Sequence, residues 1–323
     1  MTDAGRGEAL PRPSRCSLRR ALPAPSTTSG PVVRIGMIGL GKMGANMAER
    51  LRRGGHEVVG YDTSPDARDV DSLEELVAAL ADEPRRIVWV MVPAGGPTDA
   101  TIEALGDQLV AGDLVVDGGN SNVRDSQGHA AFLAERGVAF VDAGVSGGVW
   151  GLDSGYCIMA GGDAEDIADL RPAFDALVTD GGFAHVGPAG AGHFTKMVHN
   201  GVEYALMQAY GEGYELLTAS ELDIDVAASL EVWRHGSVVR SWLLDLLAGA
   251  VADDPALTDV RGYAEDSGEG RWTVQEAIDL SVPTPTIAAA LFARFSSRQQ
   301  DSPTMQAVAV LRDRFGGPGV RSS

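Results

Sequence analysis

Lysine is scarce in this chain of 323 residues: of 26 basic side chains only Lys42 and Lys196 are lysines, and the rest are arginines. A guanidinium does not deprotonate at accessible pH, whereas a desolvated lysine can give up and take back a proton near neutrality. Lys196 lies in Gly190-Ala-Gly-His-Phe-Thr-Lys-Met-Val-His-Asn-Gly-Val-Glu-Tyr204, which crowds a lysine, two histidines, an asparagine, a glutamate and a tyrosine together. Phe194, Met197, Val198, Val202, Ala205, Leu206 and Ala209 recur at three- and four-residue steps, which predicts one long buried helix running to about Leu217. Lys196, Asn200 and Glu203 then stand at i, i+4 and i+7, almost two whole turns, so they share one stripe facing a cleft. A lysine base and a glutamic acid on one stripe suit proton transfer. The plainer alternative is a pair of solvated charges on an amphipathic helix.

The elements upstream supply a partner for such chemistry. From Val33 to Asp62 the order is apolar strand, glycine turn, helix, Gly54-Gly55 break and second apolar strand, a βαβ unit. In the turn Gly39-Leu40-Gly41-Lys42-Met43-Gly44, Gly39 permits the tight turn, Gly41 lets a pyrophosphate approach and Gly44 lets helix and strand pack closely. The free N–H groups of the following helix face the phosphates. Asp62 lies at the end of the second strand, placed to accept ribose hydroxyls and repel a 2′-phosphate, which favours NAD over NADP. The same aspartate also suits a cap before Thr63-Ser64-Pro65. Ile87 to Val92, with Pro93 following, and Leu114 to Val116, with Asp117-Gly-Gly-Asn-Ser-Asn122 following, are further strands whose carboxyl-end loops line a ligand site. Residues 39 to 44, Asp62, Val92 and Pro93 are therefore the expected cofactor contacts; for Gly-Asn-Ser simple turn chemistry is the alternative to a ligand contact.

Phe140 to Asp142 leads into Ala-Gly-Val-Ser-Gly-Gly148, a loop whose N–H groups and Ser146 hydroxyl suit a carboxylate; a tight turn without ligand is the other reading. Tyr156 to Ala160, a helix near Glu165 to Leu177, and Phe183 to Val186 complete an α/β domain. After Gly192 the pattern is all-helical, with helices predicted at Val226 to Trp233, Val238 to Leu247, Thr273 to Leu280, Thr286 to Phe295 and Thr304 to Phe315. The predicted fold class is thus α/β: a doubly wound Rossmann-type domain over 32–190, then an all-helical domain over 191–323 for substrate and self-association. Residues 1–31 carry Arg12, Arg15, Arg19 and Arg20 among prolines and serines without an apolar core, and are predicted as a disordered tail rather than a targeting peptide.

The formal charge of −19 argues against nucleic acid or an anionic membrane as partner, and means that an anionic substrate needs a local arginine cluster. Cys16 and Cys157 form neither a disulfide framework nor a metal-ligand set, so no metal is expected and a reducing, cytoplasmic setting is.

Lys-Met-Val-His-Asn-Gly-Val-Glu-Tyr, residues 196–204, together with the glycine turn, Asp-Gly-Gly-Asn-Ser and Ser-Gly-Gly, resembles the decarboxylating 6-phosphogluconate dehydrogenases. The resemblance covers residues 33 to 317. It implies oxidation and decarboxylation of 6-phosphogluconate to ribulose 5-phosphate and CO2, with Lys196 as base, Glu203 as acid and His199 with Asn200 holding substrate. It also carries over Asn120 as a contact to substrate and nicotinamide ribose, and Ser146, Gly147 and Gly148 as the carboxylate loop. Trp233-Arg-His-Gly-Ser-Val-Val-Arg-Ser241, Gly268-Glu-Gly-Arg-Trp-Thr273 and Leu311-Arg-Asp-Arg-Phe-Gly-Gly317 resemble phosphate-binding segments, implying contacts from Arg240, Arg271, Thr273 and Arg312, with Tyr204 adding a hydroxyl. The order of the first two resembles the short form of the family. Arg271 replaces the lysine of longer members. Pro318 stands where the family has a histidine six residues after the arginine, and both of these would serve a neighbouring subunit, so a homodimer or homotetramer is implied. One competing reading is a 3-hydroxy-acid dehydrogenase of the 3-hydroxyisobutyrate type, which needs no phosphate pocket. Another is a catalytically silent NAD-binding regulator, which needs neither Lys196 nor Glu203.

Overall fold

The computed structural model describes residues 31–314 and 316. Residues 1–30 of the tail expected at 1–31, with Cys16, and Phe315 and Pro318 lie outside the described residues. In chain order the elements begin with β1 (Arg34–Ile38), α1 (Lys42–Arg53), β2 (Glu57–Tyr61), α2 (Leu73–Ala79) and β3 (Ile87–Val90). Next come α3 (Gly96–Gly106), β4 (Leu114–Asp117), α4 (Val123–Ala134), β5 (Ala139–Ser146), α5 (Gly151–Ser154) and β6 (Tyr156–Gly161). Then follow α6 (Ala164–Leu177), β7 (Val178–Gly187), α7 (Ala191–Thr218), α8 (Val226–Trp233), α9 (Trp242–Asp253), α10 (Glu269–Asp279), α11 (Pro285–Ser297) and α12 (Pro303–Arg314).

The seven strands form one sheet in the order β2-β1-β3-β4-β5-β6-β7, parallel except for the β5–β6 pair. β3 and β4 are buried at every position, as strands covered on both faces must be. One face packs Met37, Trp89 and Val116 against Met47 and Leu51 of α1 and Phe174 and Leu177 of α6. The other packs Val88, Val90 and Val115 against Leu76 of α2, Ile102 and Leu105 of α3 and Leu133 of α4. Chain order reverses between β1 and β3, so the loops after these two strands flank the crevice where such sheets take ligands. Only a three-residue helical turn, Pro65–Ala67, separates β2 from the approach to α2, and β2 is accordingly the sheet's edge.

The 28-residue α7 crosses from the sheet into the helical half. Its first turns lie against β5 and β6, and its later turns against α10 and α11. The helix is not buried all round as its periodicity suggests. Val198, Val202, Leu206 and Met207 are 37%, 46%, 42% and 44% exposed, because the sheet and the helices cover only part of its circumference.

α10 and β7 begin earlier than expected, at Glu269 and Val178, and two further differences bear on the site. α9 starts at Trp242 rather than Val238, because the Ser241 hydroxyl caps it by accepting the Leu244 N–H at 3.0 Å. β5 runs on to Ser146, so the Ser-Gly-Gly loop opens directly off a strand end. No described helix is long and apolar enough to cross a membrane.

α7 begins without a cap of its own, since Gly190 precedes it. Asp142, fully buried on β5, supplies the missing acceptors. Its carboxylate receives the Gly190 N–H at 2.6 Å and the His193 N–H at 2.7 Å, satisfying donors that a helix start leaves unpaired. Burial raises the Asp142 pKa, opposed by the neighbouring His193 and by these N–H groups. Asp142→Asn puts an amide NH2 where an acceptor is needed, so a loss of about 1–3 kcal/mol of unfolding free energy is expected. Urea denaturation at neutral pH measures it.

Candidate active site

The glycine turn after β1 forms one wall of a cavity of about 980 Å3 lined by Gly39, Gly41, Lys42, Met43, Gly44, Asp62, Val92, Pro93 and Asn120. Of the expected cofactor contacts only Leu40 is not part of the lining. Its N–H instead donates to Asp62 Oδ2 at 2.6 Å, which ties the turn to the end of β2. Each glycine has its own reason. Gly39 has φ +89°, a Cβ on Gly44 would collide with the Gly39 carbonyl, and nothing lies within 4 Å of where a Gly41 Cβ would be. That open approach fits a pyrophosphate seated on the turn and the first N–H groups of α1. Asp62 also accepts the Ser64 N–H at 2.7 Å, so its capping and ligand-facing roles coexist. Nearby Arg68 is paired with Asp71 at 2.8 Å.

At the cavity's other end, Asp117 accepts the Gly119 N–H at 3.0 Å and the Ser121 hydroxyl at 2.7 Å. These bonds shape the turn that places Asn120 in the cavity lining. Ser267, Glu269 and Trp272 close this end from the helical half; the sequence reading did not select them. Glu269 and Trp272 lie in Gly268-Glu-Gly-Arg-Trp-Thr273, the segment expected to supply Arg271 and Thr273, and Ser267 immediately precedes it.

Lys196 is 6% exposed and packs against β5 at Gly144, where any Cβ would clash with the lysine's own. No hydrogen bond or ion pair joins it to another described residue. Burial lowers its pKa from the usual lysine range, opposed by the charges of Glu203, Glu269 and Cys157. Along the same stripe exposure rises: Asn200 is half-buried and the Glu203 side chain is 37% exposed. His199 Nδ1 stands 3.0 Å from Asn200 Oδ1 and 4.0 Å from Glu203 Oε2. A buried amine at the closed end and a carboxyl at the open end match a base and an acid working on one substrate.

The remaining expected contacts divide. Tyr204 is 6% exposed; its hydroxyl accepts the Ser267 N–H at 3.0 Å and stands 3.3 Å from Ser267 Oγ. Over its ring, at 3.7 Å, lies the Arg294 guanidinium, a cation beside the substrate stripe that the sequence reading missed among the surface arginines. Arg271 is exposed and paired with Asp266, which Arg298 also engages. Thr273 is a helix clip, its hydroxyl bonded at 2.8 Å to the Met197 carbonyl. Arg240 lines a separate cavity with Arg234, His235 and Trp242, and Arg312 is exposed on α12. Ser146 and Gly147 line a third cavity of about 420 Å3 with Trp150, Tyr156, Cys157 and Trp242. Gly147 and Gly148 have φ +131° and +55°, which explains the glycine pair after Ser146.

Residues 34–187 match the model of the NAD binding domain of 6-phosphogluconate dehydrogenase, and residues 192–315 match that of its C-terminal domain. An NAD(+)-dependent, decarboxylating 6-phosphogluconate dehydrogenase of Haloferax volcanii is 42% identical over 88% of this chain and 97% of its own. The Plasmodium falciparum 6-phosphogluconate dehydrogenase structure aligns with TM-score 0.75 at 26% identity, covering 90% of this chain and 66% of that longer one. The Mycobacterium tuberculosis 3-hydroxyisobutyrate dehydrogenase aligns with TM-score 0.68 at 25% identity, covering 87% and 100%.

Gly44→Ala forces the phosphate-facing turn away from α1. Loss of dinucleotide binding by at least tenfold is expected with the fold retained, read by fluorescence titration and circular dichroism; unchanged affinity would remove the turn from the site.

Proposed function

The chain belongs to the 6-phosphogluconate dehydrogenase family, and we propose that it oxidises and decarboxylates 6-phosphogluconate to ribulose 5-phosphate and CO2 with NAD as its cofactor. The observation that carries this reading is Lys196: a desolvated amine beside the dinucleotide cavity with Glu203 on the same stripe. In this reading residues 32–190 hold the dinucleotide, and residues 191–323 bring the substrate to it and mediate self-association.

Residues 39–44 and Asp62 would hold NAD, which when bound supplies the hydride acceptor for C3 of the sugar acid. Neutral Lys196 takes the proton of the C3 hydroxyl as that carbon is oxidised. The resulting ammonium donates back to the 3-keto oxygen while the C1–C2 bond breaks and CO2 leaves. Glu203 then protonates the enediol carbon that becomes C1 of the product, and Lys196 accepts the proton from the enediol oxygen as the carbonyl re-forms. Transfer of that proton from Lys196 to Glu203 resets both groups. His199 and Asn200 orient the hydroxyls, the Ser146 loop receives the carboxylate, and Tyr204 with Arg294 and Arg271 faces the phosphate.

A 3-hydroxy-acid dehydrogenase shares this fold but has no use for cations around Tyr204. The exposed apolar stripe of α7 and α12, which buries none of its described side chains, support assembly of the chain with itself. The strong negative charge suits a cytoplasmic setting, and no described helix is long and apolar enough to cross a membrane.

NADH absorbance on adding 6-phosphogluconate, with the released CO2 trapped, tests the activity; oxidation of 3-hydroxyisobutyrate instead would overturn it. Lys196→Arg keeps a charge and loses the base, so kcat is expected to fall to under a few per cent while NAD still binds. NADP is the less favoured cofactor, because its 2′-phosphate meets the Asp62 carboxylate while Arg68 is engaged by Asp71. Comparison of kcat/KM for the two cofactors is expected to favour NAD, and equal efficiency would contradict this role of Asp62.

A further inference from the structure

A second acid stands beside Lys196 and has no part in the steps above. Glu269 opens α10 and is only 2% exposed. Its position is fixed from several sides. Gly268, at φ +103°, turns the chain into the helix, and Gly270 passes so close to the Tyr204 ring that a Cβ would stand 2.5 Å from it. Thr273 clips the same turn to the Met197 carbonyl, one residue from the lysine. Ser267 donates its hydroxyl to Glu269 Oε2 and its N–H to the Tyr204 hydroxyl.

We propose that Glu269 is a positioning residue for Lys196: its buried carboxylate, held by Ser267 on the turn of α10 that Thr273 clips to the Met197 carbonyl, stabilises the ammonium whenever Lys196 holds the substrate's proton. The inference rests on the reading of Lys196 as the base. The titratable groups whose charges bear on Lys196, none of them ion-paired with it, are Glu203 from α7 itself, Glu269 from α10 and Cys157 from β6. Asp142 on β5 is occupied by the N–H groups of Gly190 and His193. On α11, Arg294 lies over Tyr204 and Arg298 pairs with Asp266; on α10, Arg271 pairs with Asp266 as well. Glu203 exerts the larger pull on the lysine, yet its charge does not last through the cycle. To protonate the enediol, Glu203 must hold a proton, and in that state it is neutral. Glu269 is then the carboxylate left to balance the ammonium, and its burial keeps water from screening it.

Glu269→Gln preserves size and an acceptor for Ser267 while removing the charge. Without it Lys196 loses its proton more readily, so the acidic limb of the kcat/KM profile is expected to move down by at least about 0.5 pH unit. Glu269→Asp, which keeps the charge, is expected to leave the limb near that of the parent. A merely structural role would lower the urea midpoint and leave the limb in place. Glu269→Thr gives the same comparison if Gln unsettles α10. An unmoved limb in the neutral variants, with Lys196→Arg inactive, would overturn this inference alone. Substantial turnover by Lys196→Arg would overturn the base assignment beneath it.

Discussion

Removing an amine from water is the act on which this site depends. In bulk water Lys196 would hold its proton throughout neutral pH and be useless as a base. The fold lowers its proton affinity by pressing its stem against β5, where Gly144 leaves room for no other side chain. It then limits the drop with carboxylates at graded exposure, Glu203 toward the cleft and Glu269 inside. A base that must become an acid within one turnover needs both influences. Burial alone would make the ammonium too costly, and carboxylates alone would never release the proton.

The same geometry makes α7 the joint between the halves. Its first turn is held by Asp142 on the sheet, Lys196 and Glu203 of the proposed chemistry follow, and α10 is clipped to it through Thr273. Gly192 lets the helix lie on β5 and β6, since a Cβ there would meet the Asp142 and Met159 carbonyls at 2.5 and 2.6 Å. The proposed base and acid are thus carried on one rigid element rather than on separate loops. The cavity that takes the dinucleotide is completed by Ser267, Glu269 and Trp272, so neither half forms it alone.

Much of this was legible in the sequence because it depends on local chemistry. Glycines 39, 41 and 44 declare a turn whose sterics allow little else, and the lysine stands out because arginine fills nearly every other basic position. Residues whose roles are set by distant partners were not legible. Asp142 reads as a strand end, and only the fold shows it capping a helix 48 residues on. The sequence offers Thr273 and Arg271 as ligands, and only the fold shows that Thr273 also clips two helices and that Arg271 is paired with Asp266. Arg294 looked like any exposed arginine until α11 laid it over Tyr204. The apolar period of α7 gave the helix correctly but not which face is covered, since periodicity does not say how many neighbours a helix has.

The central claim, that the fold holds Lys196 ready to lose its proton, can be measured without substrate. The chain contains only two lysines, so Lys42→Arg protein labelled with 13C at lysine Cε gives a single resonance, that of Lys196. Following its chemical shift with pH reads the titration of the buried amine directly. The account requires a midpoint clearly below the ordinary lysine value of about 10.4. A midpoint at or above that value in the folded protein would contradict it.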